Sequence, residues 1–193
     1  ACFPANPVKV QPNQAEILDR AVWVLETEND TGTAFFLKGV GLVTAAHCVN
    51  GASSIEVFHP AKTANTFKVD VKHICTHRDL ALISHSIPTT DYFELEDFAG
   101  LPVTGADTIA AGFPSYGPGD RLNIRPGTVS SLTVKHAVNL IEVTQKLSQG
   151  MSGGPLLTQD HAVMGVIHKG GPDEPRDFAV TLTELKKWVK TLP

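Results

Sequence analysis

Along the chain, apolar residues come in short runs rich in β-branched and aromatic side chains, each bounded by glycine, proline or a polar cluster. That punctuation predicts many short strands. Ala21-Val22-Trp23-Val24-Leu25, Thr33-Ala34-Phe35-Phe36-Leu37, Gly41-Leu42-Val43-Thr44, Ser54-Ile55-Glu56-Val57-Phe58, Phe67-Lys68-Val69-Asp70-Val71 and Leu80-Ala81-Leu82-Ile83 supply about six strands before residue 90. A second set follows at 108–112, 127–130, 140–143, 154–157, 162–167 and 178–180. The mixed stretch 88–107, broken by Pro88, Gly100, Pro102 and Gly105, reads as the connection between them. The pattern therefore predicts an all-β domain over 1–193. Its lobes run from about 20 to 90 and about 108 to 180, joined by a crossover at about 91–107, and each lobe closes as a barrel. One helix stands out at about 181–191: Thr181 caps it, Glu184 is its capping-box partner, and Leu182, Leu185, Trp188 and Val189 share a face. Lys186, Lys187 and Lys190 suit its negative end. A weaker helical turn is expected from Asn13 to Arg20.

Composition narrows the function. The 193 residues are 42% hydrophobic with a formal charge of −4, so no basic field is present to hold a nucleic-acid backbone. The apolar runs are too short to span a bilayer. Cys2, Cys48 and Cys75 allow at most one internal disulfide. His73, Cys75 and His77 alternate so that a strand would project all three to one face; a polar strand end is the plainer reading, and no metal or cofactor is called for. The chain begins at Ala1, which is compatible with removal of an upstream segment.

The strongest chemical signal is Gly150-Met151-Ser152-Gly153-Gly154-Pro155, a serine among glycines without the strand-to-helix setting of an α/β-hydrolase. If the chain turns sharply there, Ser152 Oγ is exposed. The N–H groups of Gly150 and Ser152 then converge where a carbonyl oxygen can become negative. Taken alone, these residues also make an ordinary loop. A hydroxyl needs a base within hydrogen-bond reach. His59, His85, His136 and His161 sit in surface-like contexts, whereas His47 closes Thr44-Ala45-Ala46-His47-Cys48, where small residues let an imidazole stand against a facing lobe. A histidine satisfied inside a core is the alternative there. Asp79, the sole acid beside the buried-looking run Leu80-Ala81-Leu82-Ile83, needs a partner, either His47 or its neighbour Arg78.

Together the three segments, in the order His, Asp, Ser, resemble the signatures of chymotrypsin-like serine proteases. Their spacing is similar to the compact bacterial branch of HtrA proteases and glutamyl endopeptidases. Gly32-Thr33-Ala34-Phe35, Ala111-Gly112-Phe113-Pro114 and Pro126-Gly127-Thr128-Val129-Ser130 resemble segments flanking the site in HtrA proteases, and the likeness runs from about residue 20 to the end. The resemblance implies two six-stranded antiparallel Greek-key barrels with a C-terminal helix, and a serine endopeptidase acting on polypeptide. In it Ser152 attacks, His47 is base then acid, Asp79 orients His47, and Gly150 and Ser152 form the oxyanion hole.

Where digestive relatives carry an aspartate before the serine, this chain has Met151, so the resemblance implies a site formed without zymogen activation through a new N-terminus. Cys48 lacks the upstream partner of secretory relatives and is expected to be a free buried thiol. The pocket for the residue before the scissile bond is expected to be lined by Lys146, Leu147, Ser148 and Gln149 on one side. Ile167, His168, Lys169 and Gly170 line the other, with Lys169 to Gly171 able to pair with an extended peptide. His168 resembles the histidine that reads Glu or Gln in glutamyl endopeptidases, whereas ungapped counting from Gly165 puts Ile167 in the pocket and turns His168 toward Asp79. Lys146 at the pocket floor argues against cutting after Arg or Lys and for an acidic or amide residue. A non-cleaving peptide-binding homologue and an acyl hydrolase on the same fold are the competing readings. A secreted or periplasmic compartment and an intracellular one fit equally, and oligomeric state stays open.

Overall fold

Every hydrophobic run read as a strand forms one in the computed structural model, which describes residues 14–88, 91–93, 102–170 and 173–193. Cys2, Asn13, Gly100 and Gly171 lie outside the described residues. A short helix α1 (Gln14–Ala21) leads into β1 (Val22–Thr27), β2 (Thr31–Leu37), β3 (Gly41–Thr44), a one-turn helix α2 (Ala46–Val49), β4 (Ile55–Phe58), β5 (Phe67–Cys75) and β6 (Leu80–Ser84). These strands close into an antiparallel barrel in the order β1-β2-β3-β6-β5-β4. The second lobe comprises β7 (Asp107–Gly112), β8 (Asn123–Lys135), β9 (Val138–Val143), β10 (Pro155–Leu157), β11 (Val163–His168) and β12 (Asp177–Thr181), followed by α3 (Leu182–Val189). Its closed order, β10-β11-β12-β9-β8-β7, repeats the wiring of the first.

Packing explains why β2 is buried along nearly its whole length. Phe36 points into the first barrel beside Leu25, Leu42 and Val57, while Phe35 on the opposite face joins a cluster with Phe93, Phe113, Val166 and Trp188 at the seam between the barrels. Successive strand residues face opposite sides, so the stretch Ala34–Leu37, buried on both faces, is apolar at every position. A third cluster, with Leu147, Met151, Leu156, Met164 and Ile167, fills the second barrel.

Three local expectations need correction. β8 runs from Asn123 to Lys135, far beyond 127–130. Its ends are polar and half-exposed, so hydrophobicity does not mark them. β5 continues to Cys75 through a bulge near His73 and leaves His77 in the following turn, so the His73-Cys75-His77 trio does not line one strand face. Finally, Thr181 Oγ1 accepts the Glu184 N–H at 3.3 Å as an N-cap, but the Glu184 carboxylate does not return to the cap. It accepts from Arg78 Nε at 2.9 Å, Asn139 N at 3.1 Å and Asn139 Nδ2 at 2.9 Å, a charge-assisted set stronger than one exposed amide. Arg78 therefore pairs with Glu184 and leaves Asp79 free for another partner.

Candidate active site

His47 sits on α2, immediately after β3, and the first turn of any helix leaves N–H groups without intrahelical acceptors. Asp79 supplies one: its Oδ1 accepts the His47 backbone N–H at 2.7 Å, and its Oδ2 accepts from His47 Nδ1 at 2.7 Å. A carboxylate can only accept, so Nδ1 carries the proton and the lone pair is left on Nε2. Asp79 itself closes the turn from Thr76 with φ 56°, a left-handed conformation that aspartate tolerates better than most residues. His168, at the end of β11, also hydrogen-bonds Asp79 Oδ2 through Nδ1. The two imidazoles stand edge to face, 5.7 Å between centroids. Of the two sequence expectations for His168, the geometry matches the one that faces Asp79.

Electrostatics follow from this arrangement. Burial alone would raise the Asp79 carboxyl, but the bonds from His168 and His47 outweigh it and bring the group from 3.8 down to about 2. Burial works against a charged His47 imidazolium, but the Asp79 hydrogen bond, joined by the Cys48 hydrogen bond and the charges of Cys48 and Asp79, outweighs it, so His47 is raised above its usual 6.5. His47, Asp79 and His168 are the one group of His, Cys, Asp and Glu among the described residues whose donor atoms all lie within 4.8 Å of one another. Both nitrogens are engaged with a single carboxylate oxygen rather than spread around an ion.

On the second barrel, Gly150 adopts φ +98°, and a Cβ there would lie 2.5 Å from Phe113 O, so only glycine fits. Gln149 O accepts the Ser115 N–H at 2.9 Å, and Met151 O accepts the Gly154 N–H at 3.0 Å. In a trans peptide the next N–H points the opposite way. The N–H groups of Gly150 and Ser152 are thereby turned from these partners, and among the described residues neither has an acceptor. Ser152 is 3% exposed, and its Oγ accepts the Lys169 N–H at 3.1 Å with Lys169 O at 3.5 Å. Among the described residues, no hydrogen bond joins Ser152 to His47. Main-chain contacts such as those of Lys169 leave no trace in side-chain pattern.

The remaining predicted residues separate into three groups. Leu147 and Ile167 are at most 1% exposed and belong to the second barrel's core, so they back the cleft rather than present a surface to it. Lys146 is exposed; its carbonyl and Ser148 Oγ are both bound by Arg125 Nη1, at 2.7 and 2.8 Å, a brace that the sequence did not reveal. Gln149 Nε2 reaches across to Gly170 O at 3.0 Å, and Lys169 Nζ pairs with Asp177 at 3.0 Å. Cys48 is a free buried thiol whose Sγ approaches Ser152 O at 3.6 Å.

The comparisons with known proteins agree with this geometry. A model of the trypsin-like peptidase domain family matches residues 32–166. The uncharacterized protein y4bJ of Sinorhizobium fredii is 30% identical over 145 residues, which is 72% of this chain but 22% of that protein, so the chain spans about a fifth of its curated relative. Among solved structures, the active form of the Rv3671c protease from M. tuberculosis superposes with a TM-score of 0.78 at 20% identity, covering 96% of this chain and 86% of that one. The serine endoprotease from Yersinia pestis gives 0.76 at 20% identity, covering 95% and 67%. The HtrA-type protease AlgW with tripeptide gives 0.77 at 20% identity, covering 93% and 62%. Likenesses at that identity establish a shared fold, and with the family match spanning most of its length, the chain belongs to the trypsin-like peptidase domain family of serine proteases.

Proposed function

We propose that this domain is a serine endopeptidase in which Ser152 attacks the scissile carbonyl, His47 Nε2 takes the Ser152 proton, and Asp79 holds His47 in the required tautomer. The observation that carries the reading is the Asp79 carboxylate bonded to both the main chain and Nδ1 of His47. In the reaction, the new Oγ–carbon bond places negative charge on the carbonyl oxygen, to which the Gly150 and Ser152 N–H groups donate hydrogen bonds. Collapse breaks the carbon–nitrogen bond as His47 returns its proton to the leaving amine, and water then cleaves the acyl-enzyme by the same route. Met151, fully buried among apolar side chains, supports a site formed without an N-terminal salt bridge.

Labelling with a fluorophosphonate probe tests the assignment. The protein is expected to react and Ser152→Ala to stay unlabelled; persistent labelling of the variant removes Ser152 as nucleophile. For the residue before the cleaved bond we infer a preference for Glu, Gln or Asp, supported by the positive charge of exposed Lys146 and of Arg125, which holds the Lys146 carbonyl and Ser148 Oγ. Peptides differing only at that residue should be cut fastest with one of these three, and equal or faster cleavage after an apolar residue refutes the preference. The bond from Lys169 to Ser152 Oγ favours a second reading, a peptide-binding homologue that does not cut. Probe reactivity separates the two.

A further inference from the structure

Thr33 lies on β2 of the first barrel, is fully buried, and makes four hydrogen bonds, two of them to the nucleophile loop of the second. Its Oγ1 accepts the Phe113 N–H at 3.1 Å, which orients the hydroxyl proton toward Gly150 O at 2.7 Å. Its own N–H donates to Ser152 O at 3.0 Å, and its carbonyl accepts from Thr44 Oγ1 at 2.8 Å. The loop is therefore gripped at residues 150 and 152 by one residue of the opposite lobe, the lobe that carries His47.

We propose that Thr33 is the positioning residue for the oxyanion loop. The Ser115 bond to Gln149 O holds the peptide plane that carries the Gly150 N–H, while the Thr33 hydroxyl, beside the Met151 N–H bond to Ser148 O, holds the plane after Gly150, so Thr33 sets the Gly150 torsion that relates this donor to Ser152. This inference rests on the serine-peptidase reading above. Gly150 can rotate at low cost in either direction because it lacks a Cβ, so the loop's geometry must come from its hydrogen bonds. Gln149 O is held by Ser115 on one side of the α-carbon, and Gly150 O by Thr33 on the other. Removing the Thr33 hydroxyl leaves the second plane held by the Met151 N–H alone, and leaves the Gly150 carbonyl and the Phe113 N–H buried without partners. A donor aimed away from the developing oxyanion stabilises the transition state less while leaving ground-state peptide binding nearly intact.

Thr33→Val preserves shape and removes the hydroxyl, and Thr33→Ser restores it. Thr33→Val should lower kcat about 10- to 100-fold with KM within about threefold, the range for a weakened oxyanion donor. Thr33→Ser should recover kcat to within about threefold of the parent. Thr44→Val, which removes a neighbouring buried hydroxyl that packs beside Gly153 but bonds Thr33 O rather than the loop, should lose thermal stability yet keep kcat within about threefold. If Thr33→Val does not fold, Thr33→Cys, whose thiol is a weak donor, takes its place. The inference is overturned by an unchanged kcat in these variants, by a loss confined to KM, or by Thr33→Ser or Thr44→Val losing as much. An active parent with an unaffected Thr33→Val overturns this inference alone; a parent that neither cleaves peptides nor labels overturns both readings.

Discussion

Asp79 gathers two N–H donors from His47 and one from His168 onto a single carboxylate, and the acid–base behaviour of the site follows from that concentration. Since His47 is raised above 6.5 and a general base must be neutral, kcat/KM should climb with pH through a midpoint above 6.5. Asp79→Asn removes the charge while burial persists, so the midpoint should move to lower pH and kcat fall about 10⁴-fold; a midpoint that stays put refutes the coupling. Asp79 is depressed in the folded state, so its contribution to stability is complete above its ordinary 3.8 and is lost as pH falls through about 2. Acid unfolding of the asparagine variant should be shallower in that window. At this scale the pairing of Asp79 with His47 was legible, because a carboxylate beside a buried-looking run needs a partner. Thr33 was not, because a threonine in a β-run is ordinary and its partners Gly150 and Phe113 lie about a hundred residues away.

Elements read well from the sequence where one period dominated. The strands of both lobes were legible from apolar runs closed by glycine and proline. α2 was not, since four residues cannot display a helical repeat, and its one-turn length depends on the Asp79 carboxylate meeting its first N–H groups. Glu184 shows how a correct local motif can be outbid by distant partners: the cap formed through Thr181, but the carboxylate went to Arg78 and Asn139. That choice fastens α3 to the residue immediately before Asp79. With Glu184 at 3% and Arg78 at 26% side-chain exposure, Glu184→Ala leaves a half-buried guanidinium and an amide unpaired. Urea unfolding should register a loss on the order of 1–3 kcal/mol, whereas a loss under about 0.5 kcal/mol, typical of a surface pair, would show that the bridge is incidental.

At the scale of the whole molecule, two barrels with the same strand order divide the work, and no sequence repeat announced that symmetry. His47 and Asp79 belong to the first and Ser152 to the second, so activity depends on register across the seam as well as on the integrity of each barrel. In a urea titration, probe labelling should disappear at a lower concentration than far-UV circular dichroism, because the seam can open before either β-sheet melts; coincident transitions would mean that the barrels unfold as one unit. The same division means that the half that handles protons and the half that reads the substrate can be altered separately, as a lock can be rekeyed without rebuilding its spring. His168 is the exception, a residue of the second barrel whose ring rests on the acid of the first. Under the proposed mechanism, replacing His168 removes one of the bonds that lower Asp79 and so is expected to shift the acidity at which the site works.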